Sequence, residues 1–219
     1  MSHSGHGLGG RIRACICSRT YASIPQCICT ITCIRPGSKP VFAEEEKARI
    51  IPVIRELRKE TDLPISVDTS KASVAESAIF EGASLVNDVW GLKKDPELKK
   101  VVAQSNIPLV LMGYANSIFS FGLEKFLSTC KQHGVDGTII ADLPLEESNE
   151  YRALAKQYDI ATIFLATPTT LDERLKLLDE ALKKDDYTKL GKCRYYDVKC
   201  QFREKNFCKC NEMQPLSID

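Results

Sequence analysis

The chain has 219 residues, of which 43% are apolar and 27% are charged, with 30 basic and 29 acidic side chains. This composition supports a sizeable core and excludes wholesale disorder. The net charge of +1 gives no electrostatic basis for nucleic-acid binding. No apolar run approaches the ~18 residues of a membrane-spanning helix. We therefore predict a cytoplasmic protein that engages neither nucleic acid nor membrane. An organelle is the alternative, because the first 43 residues bear Arg and lack acidic side chains.

The two ends of the chain differ from its middle in charge and in cysteine content. Both ends are net basic, whereas residues 44–182 are net acidic. We predict that residues 1–33 and 183–219 are irregular basic, Cys-rich segments. The C-x-C spacings there could hold zinc, or the ends could be sequence without a matching fold, as arises when a coding frame or gene boundary is misplaced. All cysteines but Cys130 lie in these ends: Cys15, Cys17, Cys27, Cys29, Cys33, Cys193, Cys200, Cys208 and Cys210.

The middle of the chain alternates predicted strands and helices with short loops. The strands are near-continuous apolar runs, which is typical of strands buried on both faces. Repeated β-α units predict a parallel sheet, and we assign the fold class α/β, a partial TIM (β/α) barrel of five or six parallel strands with flanking helices. In chain order we predict a possible strand at 28–34, helix 43–60, strand 63–67, helix 71–81, strand 83–86, helix 95–104, strand 107–112, helix 119–133, strand 137–141, helix 145–158, strand 160–166 and helix 171–184.

Local signals refine this prediction. Pro52 lies inside the first helical pattern and should bend it, and the acidic run that ends at Glu46 is interpreted as a solvated helix start. Thr69 or Ser70 is expected to cap the second helix. Cys130 is expected to be a small buried helix residue.

Polar residues follow the strands of the middle at the point where each strand ends. They are Asp68, Asn87, Asp142 and Thr167. In a parallel barrel these positions share the carboxyl rim, where ligands bind. The same residues could instead cap the helices that follow. Trp90, three residues after Asn87, could cover the mouth of this rim or pack against the next helix.

Residues 34–112 resemble dihydropteroate synthase, the folate-pathway transferase. The matching stretches include IRPG, VDTSKA, VNDVWGL and IPLVLM. The resemblance implies pterin binding by Asp68, Asn87 and Arg35, the last of them in the loop that precedes the first helix. It also makes Mg²⁺ a possible cofactor. A carboxylate can accept paired N–H donors from an aminopyrimidinone edge, and an amide supplies a donor and an acceptor. The family's hydroxyl pair before Arg35 is replaced by Cys33 and Ile34, so the phosphate and second-substrate loop departs from the pattern.

Residues 106–182 resemble the alpha subunit of tryptophan synthase, a lyase that releases indole from indole-glycerol phosphate. The matching stretches are NIPLVLMGYANSIFSFGLEKFL, GVDGTIIADLPLEES and IATIFLATPTTLDERLKLL. The resemblance implies that Tyr114 and Ile139 line an indole-type pocket. It also implies that Asn116 and Asp142 face a beta-subunit partner. The two carboxylates that catalyse the family's reaction lie on earlier strands that have no match here.

The two resemblances overlap only at residues 106–112, in one predicted strand. The sequence therefore reads as a join between two barrel enzymes within a shared strand. We expect residual pterin binding without a complete catalytic set, so no residue is assigned as catalytic and none as a metal ligand. The alternative is a lyase subunit of the tryptophan synthase alpha type, or its remnant that binds the beta subunit. Five or six strands would leave open sheet edges, which could pair in a homodimer.

Overall fold

A single mainly parallel sheet organises the part of the chain that the computed structural model describes. The described residues are 41–60, 64–165 and 170–184, together with the backbone of two short strands at 14–16 and 28–31. Within these ranges the seven strands lie side by side in chain order. The strands are β1 (Ala14–Ile16), β2 (Ile28–Ile31), β3 (Ile65–Asp68), β4 (Leu85–Asp88), β5 (Leu109–Gly113), β6 (Gly137–Ile140) and β7 (Ala161–Ile163).

Helices connect the strands from β2 onward. Each of the strands β2 to β6 pairs in parallel with the next one, as β-α repeats require. The helices are α1 (Ala43–Glu60), α2 (Ala72–Phe80), α3 (Leu98–Ser105), α4 (Ala115–Phe121), α5 (Leu123–Gln132), α6 (Asn149–Tyr158) and α7 (Asp172–Lys184), with a 3₁₀ turn at Leu145–Glu147. The assignment to the α/β class, with five or six parallel strands and flanking helices, is confirmed.

Two predicted helices are divided in the structure. The helix predicted over 119–133 consists of α4 and α5, because Gly122 adopts a φ of 97° that interrupts the helical ladder. The helix predicted over 145–158 begins as the 3₁₀ turn and becomes α-helical at Asn149. In contrast, α1 runs unbroken through Pro52. Pro52 is exposed, and carbonyls on a solvent-facing side can tilt outward, which relieves the clash with the proline ring.

The N-terminal segment contains more regular structure than we predicted. Strand β2 lies inside the possible strand at 28–34, whereas β1, which was not predicted, pairs antiparallel with β2. The pairing places Cys15 opposite Cys29 in register. The other end cysteines and residues 185–219 lie outside the described residues.

One continuous apolar core joins the two segments that carry the different resemblances. Buried side chains extend from Ile50 and Ile54 on α1 to Leu127 on α5 and Ala155 on α6. Leu109 on β5, the strand that both resemblances share, belongs to the same cluster. Cys130 is buried, as predicted. Within the described ranges, none of the helices combines the length and the apolar character needed to cross a bilayer.

Candidate functional site at the carboxyl edge of the sheet

Asp68 and Asn87 lie side by side at the carboxyl ends of β3 and β4. They are direct partners in the parallel register, so their side chains leave the sheet on the same face. The Asn87 Nδ2 donates a hydrogen bond to Asp68 Oδ1 at 2.7 Å. Both side chains are buried, with 8% of Asp68 and 3% of Asn87 exposed. The sequence prediction that strand-terminal polar residues converge therefore holds for this pair.

The Asn87 amide has an unused acceptor. Its Nδ2 also lies 3.9 Å from Met112 Sδ, a weak acceptor on β5. Its Oδ1 is buried and has no hydrogen-bond partner among the described residues. The orientation of the amide follows from its neighbour, because turning it over would place two oxygens against each other. A buried acceptor without a partner is costly, so this position favours a ligand that brings an N–H or O–H donor.

The Asp68 carboxyl titrates close to neutrality. Burial raises the pKa of Asp68 to about 6, the hydrogen bond from Asn87 opposes this rise, and the nearby Asp88 charge adds to it. A pKa of about 6 leaves the ionised form in the majority at pH 7. An ionised carboxylate only accepts hydrogen bonds. Asp68 and the Asn87 oxygen are therefore both acceptor groups at the same edge of the sheet.

The loop after β4 is held in place by Asp88. Asp88 is fully buried, and its carboxylate accepts the backbone N–H groups of Trp90 at 3.1 Å and Leu92 at 2.6 Å. Burial raises the Asp88 pKa, and these two hydrogen bonds lower it. Gly91 and Leu92 both adopt positive φ angles, 63° and 61°, an unfavourable conformation for leucine that the Asp88 bonds help to hold. The loop therefore has a defined shape next to Asn87.

Trp90 lies at the edge of this loop with 47% of its surface exposed. The Lys94 Nζ lies 3.6 Å from the centroid of its ring, in a cation–π contact. At this exposure the Trp90 side chain is not buried against α3, and its position over the rim stays a prediction.

The turn that follows Asp68 is held from two sides, and the sequence did not predict either partner. Thr69 and Ser70 do not cap α2, which begins after Lys71 without a side-chain cap. Instead, the first helical N–H, of Ala72, donates to Asp95 Oδ2 at 2.8 Å. On the other side, Glu46 is 1% exposed and accepts a hydrogen bond from Thr69 Oγ1 at 2.6 Å. Our interpretation of Glu46 as part of a solvated helix start was wrong, because Glu46 is buried and has Thr69 and Lys71 as partners.

The residues assigned by the second resemblance lie at the ends of β5 and β6. Asp142 Oδ1 accepts the backbone N–H of Ala115 at 2.7 Å and so fixes the start of α4. Tyr114 is 64% exposed and Asn116 is exposed as well. Ile139 is half-buried and lies opposite Met112 in the register of β5 and β6. Their roles in an indole-type pocket or a partner contact stay predictions.

A cleft of about 400 Å³ opens at the carboxyl ends of β6 and β7. Most of the side chains that line it are apolar, and a few are polar or charged. Asp142 and Arg174 belong to this wall, and Arg174 is paired with Glu146. Because Glu146 pairs with it, the Arg174 guanidinium does not present an unpaired positive charge to the cleft.

Several predicted residues cannot be placed. Arg35, Thr167 and the side chains of the end cysteines lie outside the described residues, so the zinc alternatives and the phosphate loop stay predictions. In the described part of the chain, no three His, Cys, Asp or Glu side chains cluster as a metal site. The described residues therefore offer no cluster of protein ligands for the Mg²⁺ that the first resemblance implies.

Comparisons with known proteins match two different families. The family model described as the tryptophan synthase alpha chain matches residues 92–187. The dihydropteroate synthase of Bacillus subtilis is 54% identical over 78 residues, which are 36% of this chain and 27% of that protein. The tryptophan synthase alpha chain of Methanococcus vannielii is 40% identical over 111 residues, or 49% of this chain and 43% of that protein.

Solved structures give the same two names with partial superposition. A dihydropteroate synthase from Clostridium difficile, crystallised in the presence of pteroic acid, has 24% identity and a TM-score of 0.46, covering 73% of this chain and 81% of that one. The tryptophan synthase complex of Pyrococcus furiosus has 30% identity and a TM-score of 0.37, covering 59% and 56%. The chain is thus similar to two families at once, and it spans between 27% and 43% of the length of the two curated relatives above.

Proposed function

We propose that this protein binds a pterin-type ring through Asp68 and Asn87 but does not catalyse a reaction of that ring. The observation that carries the proposal is the buried pair itself, with the Asp68 carboxylate beside an Asn87 oxygen that has no hydrogen-bond partner in the described part of the chain. The edge of a 2-aminopyrimidinone ring presents two adjacent N–H donors. Those donors match two adjacent acceptors, and the similarity to dihydropteroate synthases supports the same ligand class.

Binding without turnover is supported by how the described cations near the pair are used. Displacement of pyrophosphate from a pterin methylene by an arylamine needs positive groups at the developing charge. Lys71 is paired with Glu46, and Lys94 lies over the ring of Trp90. Both side chains are engaged with the protein, and Arg35 lies outside the described residues. We therefore assign recognition of the ring to this site and assign no catalytic residue.

Calorimetric titration with a dihydropterin tests the proposal. We expect saturable binding to the wild-type protein and binding weakened about tenfold or more by Asp68→Asn, because one charged acceptor is lost. Asp136→Asn is the matched control, since Asp136 bonds the Leu109 N–H at the opposite, amino edge of the sheet. Lumazine, in which a carbonyl replaces the exocyclic amino group, should bind much more weakly than the dihydropterin. Equal heats for wild type and Asp68→Asn would remove the proposal.

A second candidate function is a lyase-type subunit, or a remnant of one that binds a tryptophan synthase beta subunit. It is favoured by the hydrogen bond from Ala115 to Asp142, which fixes the exposed Tyr114 and Asn116 at the start of α4. Indole release from indole-glycerol phosphate would establish the lyase. Co-sedimentation with a beta subunit, lost in Asp142→Ala, would establish the partner. Sedimentation of the protein alone would show whether it forms a homodimer. Such a dimer could pair through an edge strand such as β7.

A further inference from the structure

Glu46 is the most deeply buried carboxylate of α1. It lies one and two helical turns before Ile50 and Ile54, on the face that α1 turns to the core. Its two oxygens are used by different partners, since Oε1 accepts from Thr69 Oγ1 and Oε2 pairs with Lys71 Nζ. A buried carboxylate of this kind persists only where its hydrogen bonds are complete.

Thr69 connects this carboxylate to the Asp68–Asn87 pair. Its backbone N–H donates to the Asn87 carbonyl oxygen at 3.1 Å, which ties the end of β3 to the end of β4. Its hydroxyl accepts the Lys71 N–H at 3.2 Å and donates to Glu46. Thr69 therefore uses both its main chain and its side chain to hold the turn that begins at Asp68.

We propose that Glu46 is a positioning residue for the pterin site, acting through Thr69 on the orientation of Asp68 and its bond to Asn87. The inference rests on the proposed function, and it makes the affinity of the site depend on a helix that does not contribute a side chain to it. Preorganised sites owe their precision to such supporting bonds. A bond lost at Thr69 frees the turn and lets the carboxylate leave the geometry that faces the ring.

Four variants separate positioning from a purely structural role. Thr69→Val removes the hydroxyl and keeps the shape of the side chain, whereas Thr69→Ser keeps the hydroxyl. Glu46→Gln removes the charge at nearly constant volume. Glu45→Gln is the matched control on the same helix, because Glu45 is exposed and pairs only along the helix with Arg49.

Two readouts are required, both recorded well below the midpoint of thermal unfolding. The first is the dissociation constant for a dihydropterin, and the second is the titration midpoint of the Asp68 carboxyl carbon by NMR in the ligand-free protein. We expect Thr69→Val and Glu46→Gln to bind about tenfold more weakly and to shift the Asp68 midpoint. We expect Thr69→Ser and Glu45→Gln to behave as wild type.

The outcomes distinguish this inference from the proposed function. Folded Thr69→Val protein with wild-type affinity and a wild-type Asp68 midpoint would overturn the role of Glu46, even if its thermal midpoint were lower. A wild-type protein that binds no dihydropterin would overturn the proposed function, while the Asp68 titration would still decide whether Glu46 positions that carboxyl. If Glu46→Gln fails to fold because Lys71 loses its partner, the Thr69→Val variant alone tests whether Glu46 positions Asp68.

Discussion

Asn87 donates its side-chain N–H to Asp68 across two adjacent parallel strands, over 2.7 Å, and the two residues are direct partners in the register. They are 19 positions apart in the chain, and one helix separates their strands. The β-α repeat brings them together because it returns each strand to the same edge of the sheet. The pair therefore lies buried at the carboxyl edge of the sheet, where the proposed ligand site would be.

Asp68→Asn should stabilise the empty protein at neutral pH. The Asp68 pKa is about 6 in the folded state against a reference of 3.8, so the unfolded chain ionises first as the pH rises. The wild type therefore loses stability between about pH 4 and pH 6, by up to about 3 kcal/mol, and the loss persists at higher pH. An amide has no such titration. Urea unfolding across this range should show the two proteins diverging as the pH rises, and parallel profiles would contradict the buried ionisation.

Leu109→Ala should destabilise both halves of the protein together. Leu109 is 2% exposed on β5, and truncating a buried leucine costs about 2–5 kcal/mol. We expect one transition, at a lower denaturant concentration, by both Trp90 fluorescence and far-ultraviolet circular dichroism. Leu177→Ala, at an exposed position on α7, should change stability by less than about 0.5 kcal/mol. Two separated transitions would show that the two segments do not form one cooperative unit.

Asp88→Ala should loosen the loop that carries Trp90. The substitution leaves the N–H groups of Trp90 and Leu92 without their acceptor, at a cost of about 2 kcal/mol. Trp90 is the single tryptophan of the sequence, so acrylamide quenching of its fluorescence reports this loop directly. We expect stronger quenching in Asp88→Ala and an intermediate value in Asp88→Asn, which keeps one acceptor oxygen. Unchanged quenching in the folded alanine variant would show that Asp88 does not shape the loop.

Cys130 should resist alkylation in the native protein. Burial raises the pKa of its thiol to about 12, and the thiolate is the reactive form. Peptide mapping after iodoacetamide treatment should find Cys130 unmodified in buffer and modified in denaturant. Rapid native labelling would contradict its burial against the core.

The parts of the fold that follow from local pattern were predictable from the sequence. Helix α1 has the predicted bounds, because its apolar spacing is strong and its acidic first turn suits the helix dipole. The convergence of Asp68 and Asn87 was predictable because both follow apolar strands in a β-α repeat. The break at Gly122 was missed because the amphipathic pattern continues across it.

The parts that depend on distant partners were not predictable from local pattern. Glu46 finds Thr69 at a separation of 23 residues and Asp95 finds Ala72 at the same separation, so neither contact has a short-range signature. One signal was present for Glu46, since it shares a helix face with Ile50 and Ile54. Strand β1 was missed because its three residues pair with β2 rather than with a β-α neighbour.

The side-chain amide signals of Asn87 test the central claim most directly. In an NMR titration with a dihydropterin, we expect the largest changes at the Asn87 side-chain NH₂ group and at the Asp68 carboxyl carbon, with much smaller ones on adding lumazine. Such a result would place the ring at the unpartnered Asn87 oxygen. Saturating dihydropterin that leaves both signals unmoved, or that moves only signals elsewhere, would contradict the assignment of this pair as a ligand site.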